Sequence, residues 1–117
     1  MIELLMVMFA YLGGVDVRIV DGPVIAIESD GRRHETSAKV AACIDGHAHI
    51  EGTAEALSSV ENLAHEVLHL VDCRDDGAYN GSLLPYPPTA DDPAHEWVYW
   101  ALRNPDTAAR AIERMGR

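Results

Sequence analysis

The sequence predicts an α+β domain, with a sheet first and helices after it, and three observations lead there. Short alternating or apolar stretches, separated by Gly, Pro and Asp-Gly steps, fill residues 15–51, which is the pattern of short strands. From residue 58 onward apolar residues recur at helical spacing. Two steps with proline after an N-cap residue, Asp92-Pro93 and Asn104-Pro105, then open further helical stretches.

Each element follows from its local residues. In "MIELLMVMFAYLGG" the apolar run Leu4 to Leu12 is too short to cross a bilayer. It has no basic start and no small-residue cleavage site, so it reads as a strand or short helix of the domain, and no membrane partner is expected. In "VDVRIVD" (15–21), Val15, Val17 and Ile19 alternate with Asp16 and Arg18, the period of a half-buried strand. Gly22-Pro23 ends it, "VIAIES" (24–29) reads as a second strand, and "SDGRRHE" (29–35) as a polar turn. "KVAACI" and "HAHIE" flank Asp45-Gly46 as a hairpin, because that dipeptide suits the turns that match strand twist. The expected sheet has three or four strands, mostly antiparallel.

The second half is helical. Ser58-x-x-Glu61 offers a capping box, and Val60, Leu63, Ala64, Val67, Leu68 and Val71 form one apolar stripe up to Cys73. Residues 75–92 are rich in Gly and Pro, a long connection of the kind that tends to carry function. "PAHEWVYWALR" and "DTAARAIERMG" follow, the last ended by Gly116. No internal repeat interrupts this order, and residues 1–117 read as one domain.

Composition narrows the function. A hydrophobic content of 48% is that of a globular chain. Nineteen acids against nine bases give a net charge of −10, which argues against a nucleic-acid surface, since phosphates need clustered Lys and Arg. Cys43 and Cys73 are too few for a disulfide scaffold and read as thiols in a reducing compartment, with a single bridge as the alternative, and a cytoplasmic location is expected.

The residues that carry chemistry lie in His65-Glu66-Val67-Leu68-His69. On a helix, imidazoles at i and i+4 reach a single Zn²⁺, and the glutamate between them lies close enough to act as general base toward a zinc-activated water. Zinc lowers the pKa of that water toward neutrality. Catalytic zinc takes three protein ligands, so a third is required.

This H-E-x-x-H pentad, on a helix preceded by strands, resembles the zincin metallopeptidases. The resemblance runs from about position 39 to 102. It implies a peptide or protein substrate, held by strand addition along an edge strand beside the active-site helix. "HAHIE" (47–51) occupies the place of that strand. Glu96 in "DPAHEWVYWAL" resembles the third ligand of gluzincins, which is a glutamate on a downstream helix, and especially that of small phage- and mobile-element-associated peptidases of the ImmA/IrrE type. Asp75, six residues after His69, stands where metzincins place their third ligand, but Asp72 replaces the turn-forming Gly of that group. His95, beside Glu96, is the remaining candidate. The reading favours Glu96.

Other polar residues complete the expected site. His95, Tyr79, Tyr86 and Tyr99 are candidates to donate a hydrogen bond to the oxyanion. Asp72, one turn beyond His69, either orients its imidazole or ends the helix. "CIDGHAHI" (43–50) also resembles the H-x-H motif of metal-dependent amidohydrolases, but their barrel needs about 250 residues. His47 and His49 alternate onto one strand face and are expected to be solvent-exposed, with lining of the substrate groove as the alternative. The alternative to a peptidase is a zinc-binding structural or regulatory module without catalysis, which a closed site drawing on Cys73 would favour.

Overall fold

The computed structural model describes residues 1–27, 31–40 and 49–115. They form an α+β domain with a small mixed sheet and several helices. A helix, not a strand, comes first. Helix α1 (Ile2–Leu12) buries Leu4, Leu5, Met8 and Leu12 at one-turn intervals. Gly13 ends it in the left-handed conformation, and Gly13 and Gly14 donate back to the carbonyls of Ala10 and Phe9.

Strands β1 (Asp16–Ile19), β4 (Ala38–Val40) and β5 (His49–Gly52) form one sheet in the order β1-β5-β4. β1 runs parallel to β5, while β4 is antiparallel to it through Ala38↔Gly52, Lys39↔Glu51 and Val40↔Ile50. The Asp45-Gly46 step lies outside the described residues. Strands β2 (Val24–Ile27) and β3 (Arg33–Thr36) form a separate antiparallel ribbon, from Val24↔Thr36 to Ile27↔Arg33.

Three expectations change here. The sheet is divided in two, with one parallel pair. β1 is exposed along its whole length instead of half-buried; among the described residues it is an edge strand, paired with β5 alone. The stretch read as a polar turn contains β3, whose polar residues suit an exposed ribbon.

Helix α2 (Ala54–Leu57) is capped by Thr53, whose hydroxyl accepts from the Ala56 N–H at 3.2 Å. Helix α3 (Val60–Asp76) follows, and its N-cap is Ser59, accepting from the Asn62 N–H at 3.3 Å. The Ser58 capping box does not form, since Ser58 closes α2 and its hydroxyl donates to the Glu55 carbonyl. Gly77 stops α3 in the left-handed region. Helices α4 (Pro93–Arg103) and α5 (Pro105–Met115) complete the chain as described.

The core lies where α1, α3, α4 and α5 meet, with Ile50 of β5 added from the sheet. Leu4, Met8, Leu68, Trp97, Val98 and Ile112 are buried there. Burying such a side chain contributes roughly 1.5–3 kcal/mol. Helix α3 thus packs against α1 and α4 on its apolar side and meets β4 on the other. Cys73 is buried and disulfide-bonded, which overturns its reading as a free thiol, and Cys43 lies outside the described residues. Among the described residues no helix is long and apolar enough to cross a membrane.

Candidate metal centre

His65, Glu66 and His69 all lie on α3, as the pentad predicts. The third imidazole comes from α4. The Trp97 indole N–H donates to the Leu68 carbonyl at 3.1 Å, and Trp97 and Val98 are fully buried. These contacts turn the Asp92–Tyr99 edge of α4 toward α3. His95 then stands with its ring centroid 5.4 Å from that of His65 and 4.7 Å from that of His69. The two α3 rings are 5.0 Å apart.

One ligand nitrogen from each of the three histidines falls within 4.8 Å of the others. Nitrogens bound tetrahedrally at about 2.1 Å to zinc stand about 3.4 Å apart. The cluster approaches that spacing. Three imidazoles also suit zinc by donor chemistry. The residues fit the ion.

The electrostatics favour the neutral forms of His65 and His69. His69 is buried, and burial, then the neighbouring His65 and His95, lower its pKa to about 3 against an opposing pull from Asp92. Burial, then His95, also lowers His65. A neutral imidazole is the form that binds metal. Glu66 lies between His65 and His69 in the sequence of α3, and burial raises its carboxyl to about 7, with His95 opposing.

Glu96 is not brought to the histidines. Its carboxylate accepts from the backbone N–H groups of Thr89 (2.9 Å) and Ala90 (2.7 Å) and from the Thr89 hydroxyl (3.1 Å). It holds the end of the long connection against α4. One residue along a helix turns the side chain by about 100°, so adjacent residues cannot share a target, and His95 has it. Asp75 is also elsewhere: it is exposed, and its carboxylate accepts from the Ser82 hydroxyl at 2.8 Å.

Asp72 does not orient His69. It is fully buried, and its carboxylate accepts from the N–H groups of Gly81 (2.9 Å) and Ser82 (3.3 Å). It thereby holds the turn that carries Tyr79, whose ring stands edge-on to His69 at 6.2 Å. Tyr99 flanks the other side, 6.0 Å from both His65 and His95. Tyr86 is engaged with the Glu96 carboxylate instead. His49 is buried, contrary to its expected exposure, with Nε2 3.9 Å from Glu51 Oε1, and His47 lies outside the described residues.

A cleft of about 600 Å³ opens over this cluster, with Glu66, His69 and His95 on one wall and His34, Thr36 and Lys39 on the other. Among the described residues the edge strand at the cleft is β4, not "HAHIE", because β5 is paired on both sides and β4 on one. A second hollow of about 500 Å³ continues past His95 along α4 to Tyr99 and Arg103.

Asp92 was legible only as a helix cap. Its Oδ1 accepts from the His95 N–H at 3.3 Å, and its Oδ2 lies 2.7 Å from His95 Nδ1. The spacing Asp-x-x-His at a helix start was the available signal, since an N-cap side chain reaches the third helical residue. No family model matches the chain, and comparison with curated proteins and with solved structures found no match to either.

Proposed function

We propose that the protein is a zinc-dependent peptidase with His65, His69 and His95 as the metal ligands and Glu66 as the general base. The observation that carries this reading is the convergence of three imidazoles from two helices at the wall of an open cleft, with Glu66 between two of them in the sequence. Zinc held there would supply Lewis-acid activation of a water and of the scissile carbonyl. Glu66 takes the proton of the attacking water and passes it to the amine as the carbon–nitrogen bond breaks. The rings of Tyr99 and Tyr79 stand 6.0 Å from His65 and 6.2 Å from His69, and the Tyr99 phenol is the candidate oxyanion donor in this reading.

The substrate in this reading is an extended peptide segment. Among the described residues β4 pairs with β5 alone, and in this reading a peptide backbone pairs with its other edge by the same kind of hydrogen bonds that join β4 to β5. A short edge of three residues favours a flexible substrate segment over a long rigid strand.

The test is a pair of measurements on Glu66→Gln. Zinc content should remain at about one ion per chain, while hydrolysis of a quenched peptide library falls by roughly 10²–10⁴-fold. Full zinc with no hydrolysis in either protein would instead support a structural or regulatory metal module. Hydrolysis unchanged by the substitution would place the base elsewhere.

A further inference from the structure

We infer that Asp92 is the positioning residue of the metal site, setting the tautomer and the direction of the His95 ring. This rests on the proposed role of His95 as a metal ligand. The two oxygens of this one carboxylate do separate work. Oδ1 caps α4 by accepting from the His95 backbone N–H, and Oδ2 meets the His95 ring at Nδ1, 2.7 Å away.

A carboxylate at that distance is an acceptor, so it fixes the proton on Nδ1. Nε2 is then left with its lone pair free. That is the nitrogen able to meet a metal shared with His65 and His69. The anion beside the ring also raises its strength as a donor.

His95 has more need of such an anchor than its partners. His65 and His69 share one helix, where the one-turn spacing alone puts them together. His95 comes from a different helix, and its side chain is 43% exposed, so packing alone leaves the ring free to turn. Among the described residues, it is the ligand whose ring carries a carboxylate. Because the same residue begins α4, the start of the helix and the direction of the ligand are fixed together. Pro93 adds to this by holding the first helical residue at a fixed φ.

The experiment compares full-length wild type, Asp92→Ser, Asp92→Asn and His95→Ala. Serine keeps a good N-cap but is too short to reach the ring. Asparagine either keeps the cap and offers an amide donor to Nδ1, or keeps the ring contact and loses the cap. Zinc affinity is read by competition with a chromophoric chelator, metal-free stability by thermal unfolding, and the His95 tautomer by ¹⁵N NMR of the metal-free protein.

The expected result has three parts. Asp92→Ser binds zinc roughly 10–100-fold more weakly than wild type. Its metal-free melting temperature stays close to that of wild type. The His95 ring carries its proton on Nδ1 in wild type and loses that preference in Asp92→Ser. If Asp92→Ser binds zinc as wild type does while His95→Ala does not, this inference fails alone. An Nε2–H tautomer in the wild type would also overturn it. A wild type that takes up no zinc overturns the peptidase reading and this inference together.

Discussion

The indole N–H of Trp97 donates to the carbonyl of Leu68, one residue before His69, at 3.1 Å. This bond ties α4 to α3 at the level of the histidines. It fixes the rotation of α4 about its axis, and with it the face on which His95 stands. Trp97→Phe retains the apolar surface and removes the donor. It should lower stability by about 1–2 kcal/mol, the net value of a buried hydrogen bond plus a small void. Zinc affinity should fall with it. Urea unfolding with chelator present, paired with a zinc titration, checks both, and an unchanged zinc affinity would show that α4 is held by other contacts.

The third ligand is the second test. His95→Ala should abolish tight zinc uptake, whereas Glu96→Ala should leave it near wild type, because the Glu96 carboxylate is engaged by Thr89 and Ala90. Excess zinc raises the melting temperature of any protein that binds it in the folded state only. Wild type and Glu96→Ala should show that rise, and His95→Ala should not. The opposite pattern would return the ligand role to Glu96.

Much of this arrangement was legible from local signals, and the departures share one cause. The pentad, the helix it lies on and the Asp92-Pro93 start are all determined by residues within one or two turns. Whether His95 or Glu96 faces His65 and His69 depends on the rotation of α4, which Trp97 and Val98 set by packing on α3. No spacing within α4 contains that information. The identity of the edge strand was hidden for the same reason. β5 acquires β1 as a second neighbour through a long-range parallel pairing from Asp16↔His49 to Ile19↔Gly52, so among the described residues the edge at the cleft passes to β4. The helical N-terminus was likewise ambiguous, because a run that is apolar almost throughout has neither period.

Glu66 gives the metal-free protein a characteristic pH dependence. Its folded pKa is raised by burial to about 7 from an ordinary value of 4.5, so between those values the folded state holds more protons than the unfolded one. Stability from this group is therefore full below pH 4.5 and is lost as pH rises through 7. Glu66→Gln has no charge to bury. With chelator present it should be more stable than wild type at pH 8, by about 2–3 kcal/mol, with most of that difference gone at pH 5. His65 and His69 have lowered folded pKa values and act in the opposite direction, costing stability as pH falls below 6.5, but they are common to both proteins. A difference between the two proteins that does not change from pH 5 to pH 8 would show that Glu66 is not desolvated.

The last test separates two glycines that share a backbone conformation. Gly77 and Gly81 both have positive φ, at 84° and 69°. A Cβ on either meets the strain of the left-handed region, worth about 1–2 kcal/mol. Around Gly77 there is open space, with nothing within 4 Å of that Cβ. At Gly81 the added carbon would stand 2.3 Å from the Pro93 carbonyl oxygen and 2.9 Å from its carbon, which are backbone atoms of the first residue of α4. They can yield only if the start of the helix moves. Gly81 also donates its N–H to the buried Asp72, so the turn cannot simply swing outward without leaving that carboxylate short of a partner. Gly81→Ala should therefore destabilise the fold by more than the roughly 1–2 kcal/mol of strain expected for Gly77→Ala. It should also displace Asp92, which precedes Pro93, and His95, two residues after it. Gly77→Ala should bind zinc as wild type does, and Gly81→Ala should bind it more weakly. Equal zinc affinity in the two variants would mean that the turn held by Asp72 and the start of α4 move independently.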